Sequence, residues 1–229
     1  MNNRKVAPAK HVREIRDILG VRAADNLRNA EVILVVEGED DRISLTALLK
    51  FTSERIAKSI DQGGLAIESL LGGSNLSYKL SQIREAMCLA HSFLDNDKCG
   101  RDSSSKAQQD GLLEIADLTL TVCQGMKESE LEDLYDEKLY SEMILNKYGV
   151  STHSPKFKGH DKWSDRMCRA FRHLGKPWSD QIETDVKLAI ARLVEQNPQS
   201  ALNAHKRNSF DALIQALETK LMTAEEHKN

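Results

Sequence analysis

The stretch EVILVVEGEDD, residues 31 to 41, is the strongest constraint on the fold. Five consecutive apolar residues, Val32 to Val36, are mostly β-branched and do not alternate with polar ones. Such a run predicts a strand buried in the interior of a sheet. It ends directly on Glu37, Gly38, Glu39, Asp40 and Asp41. Asp40 or Asp41 suits the start of a helix over DRISLTALLKF, because a short acidic side chain there accepts from the first free amides. Strand, turn and helix then recur. LAIESLL precedes GGSNLSYKLSQIREAMC, CLAHSFLD precedes RDSSSKAQQDGLLEIA, and LTLTVC precedes DEKLYSEMILNKY. This alternation predicts an α/β fold with a mostly parallel sheet sandwiched by helices.

Three segments are expected. Residues 1–28 read as an N-terminal helical lead-in, with Val12, Ile15, Ile18 and Leu19 at helical spacing and Gly20 as a stop. Residues 29–150 carry the α/β pattern, and 151–229 read as an all-helical C-terminal extension. In that extension Trp163, Met167, Ala170, Phe171 and Leu174 form one apolar face, and Arg166, Arg169 and Arg172 fan over the other. Ile182, Val186, Ile190 and Leu193 mark a second helix, and Phe210, Leu213, Leu217 and Leu221 a third. No apolar run approaches a membrane span and no secretory signal is visible, so a cytoplasmic protein without membrane contact is expected. Cys88, Cys99, Cys123 and Cys168 are too scattered for a zinc or redox motif and read as free thiols. A phosphate-binding loop of the G-x-x-x-x-G-K-[ST] kind is absent from the sequence, which excludes an ATPase core.

Net charge is -3, but the charges are unevenly spread. Residues 128–142 hold seven acids against one lysine, whereas 153–176 hold seven Lys or Arg against two Asp. In parallel α/β sheets ligands gather beyond the carboxyl ends of the strands. Glu37 falls at one such end with Asp41 about a helical turn on, Asp95 and Asp97 at another, and Glu130, Glu132 and Asp133 after a third. Each signal alone has a plain structural reading, as a helix cap or an exposed helix start. Together they point to a shared cation, because converging carboxylates resist joint ionisation. Oxygen-only donors favour Mg2+ or Mn2+, and two such ions suit a phosphodiester displacement.

VVEGEDD, LLGGSNL and FLDNDKCGRD together resemble the Toprim domain, a Rossmann-like fold shared by topoisomerases, bacterial primases, small ribonucleases and the OLD (overcoming lysogenisation defect) nucleases. The likeness spans roughly residues 18 to 175. Glu37 with Asp41, and the later Glu130, Glu132 and Asp133, look most like the OLD branch. The resemblance implies a metal-dependent DNA endonuclease or nickase with Glu37, Asp41, Asp95, Asp97, Glu130, Glu132 and Asp133 around two metal ions. Glu37 either joins the ligands or acts as general base, and Lys162, or failing that Lys158, assists at the scissile phosphate. OLD proteins place an ABC-type ATPase before this domain. Its absence here implies a separate ATPase partner, a chain that works alone, or a remnant. A role in antiviral defence and a homodimer are likewise implied by resemblance only. Two other functions stay open: a Toprim ribonuclease acting on structured RNA, and a non-catalytic module that binds nucleic acid or an ATPase.

Overall fold

A computed structural model describes residues 30–70 and 75–226. The expected N-terminal lead-in and the Gly72–Gly73 part of LLGGSNL lie outside the described residues. Four strands form one sheet: β1 (Val32–Val36), β2 (Leu65–Ser69), β3 (Leu89–Asp95) and β4 (Leu118–Thr121). Their spatial order is β2-β1-β3-β4 and every pairing is parallel. The nine helices described between and after them are α1 (Glu39–Thr52), α2 (Glu54–Asp61), α3 (Leu76–Glu85), α4 (Lys98–Gln109), α5 (Ser141–Tyr148), α6 (Trp163–His173), α7 (Asp180–Gln196), the single turn α8 (Pro198–Ala201) and α9 (Asn208–Glu226). The chain is an α/β fold with a helical C-terminal part.

The continuous apolar run of β1 is explained by its two covered faces. Val32, Leu34 and Val36 join one core with α1, α2 and the C-terminal helices, while Ile33 and Val35 join a second with α3 and α4. Burying five such side chains contributes roughly 1.5–3 kcal/mol each. The larger core runs without a break from Val32 through Trp163, Val186 and Phe210 to Ala224. Residues 151–226 therefore share the core of the sheet, and the helical extension is a wall of the same body.

Several local expectations are corrected. The helix expected over residues 101–116 starts earlier and ends at Gln109, where Gly111 adopts a φ of 68° and turns the chain. The helix expected over residues 136–148 is split into a 3-10 turn (Glu137–Leu139) and α5. Helix α2 was not anticipated; Ser53 caps it by accepting from the Ile56 amide. On α6, Arg166 is not on the outer face: it is buried, pairs with Asp133 and lies 4.6 Å from the Phe157 ring centre. Leu174, assigned to the apolar face, is half exposed. The four cysteines are free. Among the described residues no helix is long and apolar enough to cross a membrane.

Candidate functional site

Strand order places the site. The chain leaves β1 to build β2 on one side, then crosses to build β3 on the other. The crevice between β1 and β3 is therefore the switch point, where a parallel sheet opens to ligands. Glu37 directly follows β1, and Asp95 is the last residue of β3. The two ends are tied together: the Asp95 amide donates to Glu37 Oε1 at 3.0 Å. Gly100 makes this closeness feasible. A Cβ there would stand 2.1 Å from the Asp95 carbonyl oxygen and 3.1 Å from Glu37 Oε1.

The acids of 128–133 arrive by backbone pairing. Asn96 and Ser129 exchange amide hydrogen bonds of 2.9 and 3.1 Å. Ser129 Oγ also donates to the Thr121 carbonyl at 2.5 Å, and the Leu131 amide donates to Asp95 Oδ1 at 3.0 Å. The acidic turn is thereby stitched across the ends of β3 and β4. Helices α1 and α4 begin on the same side, so both present their positive N-terminal ends to the site.

Within this frame the carboxylates separate by environment. Glu37, Asp41 and Asp95 line a pocket of about 300 Å³ with Gly38, Asp40, Asp180, Glu183, Thr184 and Lys187. Each of the three is fixed through one oxygen by a backbone amide, of Asp95, Gly38 and Leu131 respectively. The second oxygen of each makes no hydrogen bond among the described residues. Burial pushes the Glu37 carboxyl up and the Asp95 carboxyl well up, and burial with the Asp40 charge raises Asp41 to about 7. Glu132 is driven well up by burial too, and its Oε2 is buried without a hydrogen bond.

The remaining expected ligands are occupied. Asp97 caps α4 through the Gly100 amide and receives Lys162 Nζ at 2.8 Å. Glu130 receives the same ammonium at 2.9 Å and both the amide and hydroxyl of Ser164 at 2.8 Å. Burial opposes the charge of both acids, but lysine outweighs it and holds their carboxyls below the ordinary range. Asp133 lies wholly inside, accepting from the Glu130 and Trp163 amides and pairing with Arg166. It ties α6 to the acidic turn, which makes it scaffold and removes it from the cation-facing set. Lys158 is exposed and pairs with Glu137 at 3.0 Å, away from the pocket; of the two expected lysines only Lys162 reaches the acids.

Lys187, on α7, was not anticipated. It stands 3.4 Å from Glu132 Oε2 and 3.9 Å from Glu130 Oε1, and its charge is favoured by Glu132, Glu130 and Asp95 despite burial. It follows Val186 on a helix read for its apolar stripe alone, and only the Glu183-to-Lys187 spacing hinted at a paired lysine. Ten carboxylates (Glu37, Asp40, Asp41, Asp95, Asp97, Glu130, Glu132, Asp133, Asp180 and Glu183) thus meet three cations (Lys162, Arg166 and Lys187), seven fewer. Among the described residues no three carboxylates, histidines or cysteines stand in a metal-holding arrangement; Lys162 bridges Asp97 and Glu130, and Lys187 stands beside Glu130, Glu132 and Glu183. The donors nevertheless suit a hard divalent ion: oxygen only, pre-fixed by backbone amides, and in excess of the cations present.

Comparison of the chain with protein-family models, characterised proteins and solved structures finds no match.

Proposed function

We propose that this chain is a divalent-metal-dependent phosphodiesterase, a nuclease acting on nucleic acid with DNA favoured over RNA. The observation that carries the reading is the cluster of amide-fixed carboxylates at the switch point of the sheet, in excess of the one lysine that shares their pocket. A protein gains nothing in stability from burying such an excess of like charge, and raised carboxyl pKa values in a cleft mark a site with work to do. The arrangement of Glu37 and Asp95 on adjacent strand ends, with Lys162 arriving from the N-cap position of α6, supports the Toprim reading and its OLD-like form.

Glu37, Asp41 and Asp95 are the residues that would hold Mg2+ or Mn2+, with Glu132 beside them. A cation bound there supplies Lewis-acid stabilisation of charge developing on a phosphodiester. Lys162, charged and anchored between Asp97 and Glu130, is positioned to neutralise a phosphate oxygen in the transition state. The N-terminal ends of α1 and α4 favour the same anion. With Oε1 held by the Asp95 amide, Glu37 has one oxygen left, which either joins the ligands or takes the proton of an attacking water. Of the basic segment from Lys156 to Lys176, Lys158, Lys162, Arg166, Arg169 and Lys176 are already held by protein groups, which leaves Lys156 and Arg172 to meet a phosphate backbone. A separate ABC-type ATPase, antiviral defence and a homodimer rest on the OLD likeness alone.

The test is cleavage of supercoiled plasmid, single-stranded DNA and structured RNA by purified protein in Mg2+ and in Mn2+, with Asp95→Asn as control. Metal-dependent nicking lost in the variant supports the proposal, and greater turnover of RNA than DNA converts it to a ribonuclease. Cleavage that is unchanged in Asp95→Asn, or absent on every substrate, overturns it.

A further inference from the structure

Two lysines enter the acidic site, and they are held differently. Lys162 makes contacts of 2.8 and 2.9 Å to Asp97 and Glu130. Lys187 makes none so short: its ammonium is 3.4 Å from Glu132 and 3.9 Å from both Glu130 and Glu183. Glu132 Oε2, on a residue only 3% exposed, still receives no hydrogen bond. A buried carboxylate oxygen without a hydrogen bond and a loosely seated ammonium describe a cation position that lysine fills imperfectly.

The route out is built into α7. Val186, Ile190, Ala191 and Val194 bury the other side of the helix and fix its axis. Glu183 lies four residues before Lys187 and Asp180 a further turn back, so all three share a face. Asp180 and Glu183 line the pocket with Lys187. The four-carbon stem can carry the ammonium from Glu132 to Glu183 by side-chain rotation alone. We propose that Lys187 is the resident cation of the pocket, whose ammonium yields its place beside Glu37, Asp41, Asp95 and the adjoining buried Glu132 to an entering divalent ion and withdraws to Glu183. Lys187 thereby sets the metal affinity of the site. This inference rests on the metal-dependent reading above.

The test is Mn2+ affinity, followed by the electron paramagnetic resonance signal of free Mn2+, for the full chain and for Lys187→Met. Removing a unit positive charge a few ångströms from a divalent ion strengthens its binding at least about ten-fold. Equal affinities, or weaker binding by the variant, overturn the role of Lys187 and leave the metal reading standing. Binding by neither protein overturns both. A second measurement on the unaltered protein covers a variant that fails to fold: acetylation of Lys187 by an amine-reactive ester, read by mass spectrometry. Saturating Mn2+ raises its modification severalfold if the side chain withdraws to the pocket wall; an unchanged or lower rate overturns the inference.

Discussion

Substituting Gly100 by alanine tests whether the fold is built around the closeness of β3, α4 and Glu37. The new Cβ would stand 2.1 Å from the Asp95 carbonyl oxygen, where separations under 3.0 Å essentially never occur. The obstacle is backbone, so no side-chain rotation relieves it. The start of α4 and the end of β3 must part by about 1 Å, an overpacking that costs about 3 kcal/mol. Alanine recovers about 1 kcal/mol of helix propensity over glycine. The net loss is about 2 kcal/mol, or about 4–8 °C in Tm for a chain of this size. The separation also strains the 3.0 Å bond from the Asp95 amide to Glu37 Oε1, so Mn2+ binding weakens together with stability. Urea unfolding followed by circular dichroism, with the denaturant slope compared, gives the energy. A variant within about 0.5 kcal/mol of the parent, or a more stable one, refutes the reasoning, since it would mean that helix and strand end are not in contact at this point.

Asp133→Asn removes the charge that pairs with Arg166 while keeping its shape. Leaving a buried guanidinium unpaired costs about 3 kcal/mol; thermal unfolding measures the loss, and Mn2+ affinity should stay that of the parent, because Asp133 is scaffold. His91 gives a pH signature. It is 1% exposed, contacts Thr119 Oγ1 at 2.9 Å, and burial, with the Lys220 charge and against that of Asp117, lowers its pKa from 6.5 to about 4. The unfolded chain takes up the proton first as pH falls, so stability is lost from about pH 6.5 down towards 4, by about 3 kcal/mol in total. His91→Gln removes that part of the slope, which the difference between the two urea-unfolding profiles over pH 4 to 7.5 isolates; parallel profiles contradict it.

The sheet was legible because its signal is local. The β-branched run of β1 and the repeated strand-then-helix order dictate a parallel arrangement, and Glu37 and Asp95 sit where strand ends must lie. The helix-cap reading of two acids holds while both adjoin the acidic site: Asp97 is a helix cap, and Asp133 closes a capping box with Glu130. What spacing could not reveal was the division of labour among the acids, because that depends on partners distant in sequence. Arg166 claims Asp133, Lys162 claims Asp97 and Glu130, and Lys187 reaches the pocket from a helix whose pattern advertised only its core face. Gly100 was equally silent, since a glycine in a helical segment shows its purpose only when the approaching backbone is known.

Everything proposed for this chain depends on a divalent cation entering the pocket of Glu37, Asp41 and Asp95. Equilibrium Mn2+ binding by the purified chain and by Asp95→Asn, titrated calorimetrically at pH 8 where Asp41 is ionised, tests it most directly. Saturable binding by the parent and its loss in the variant are expected. Equal binding by the two proteins, or none by the parent, would contradict it.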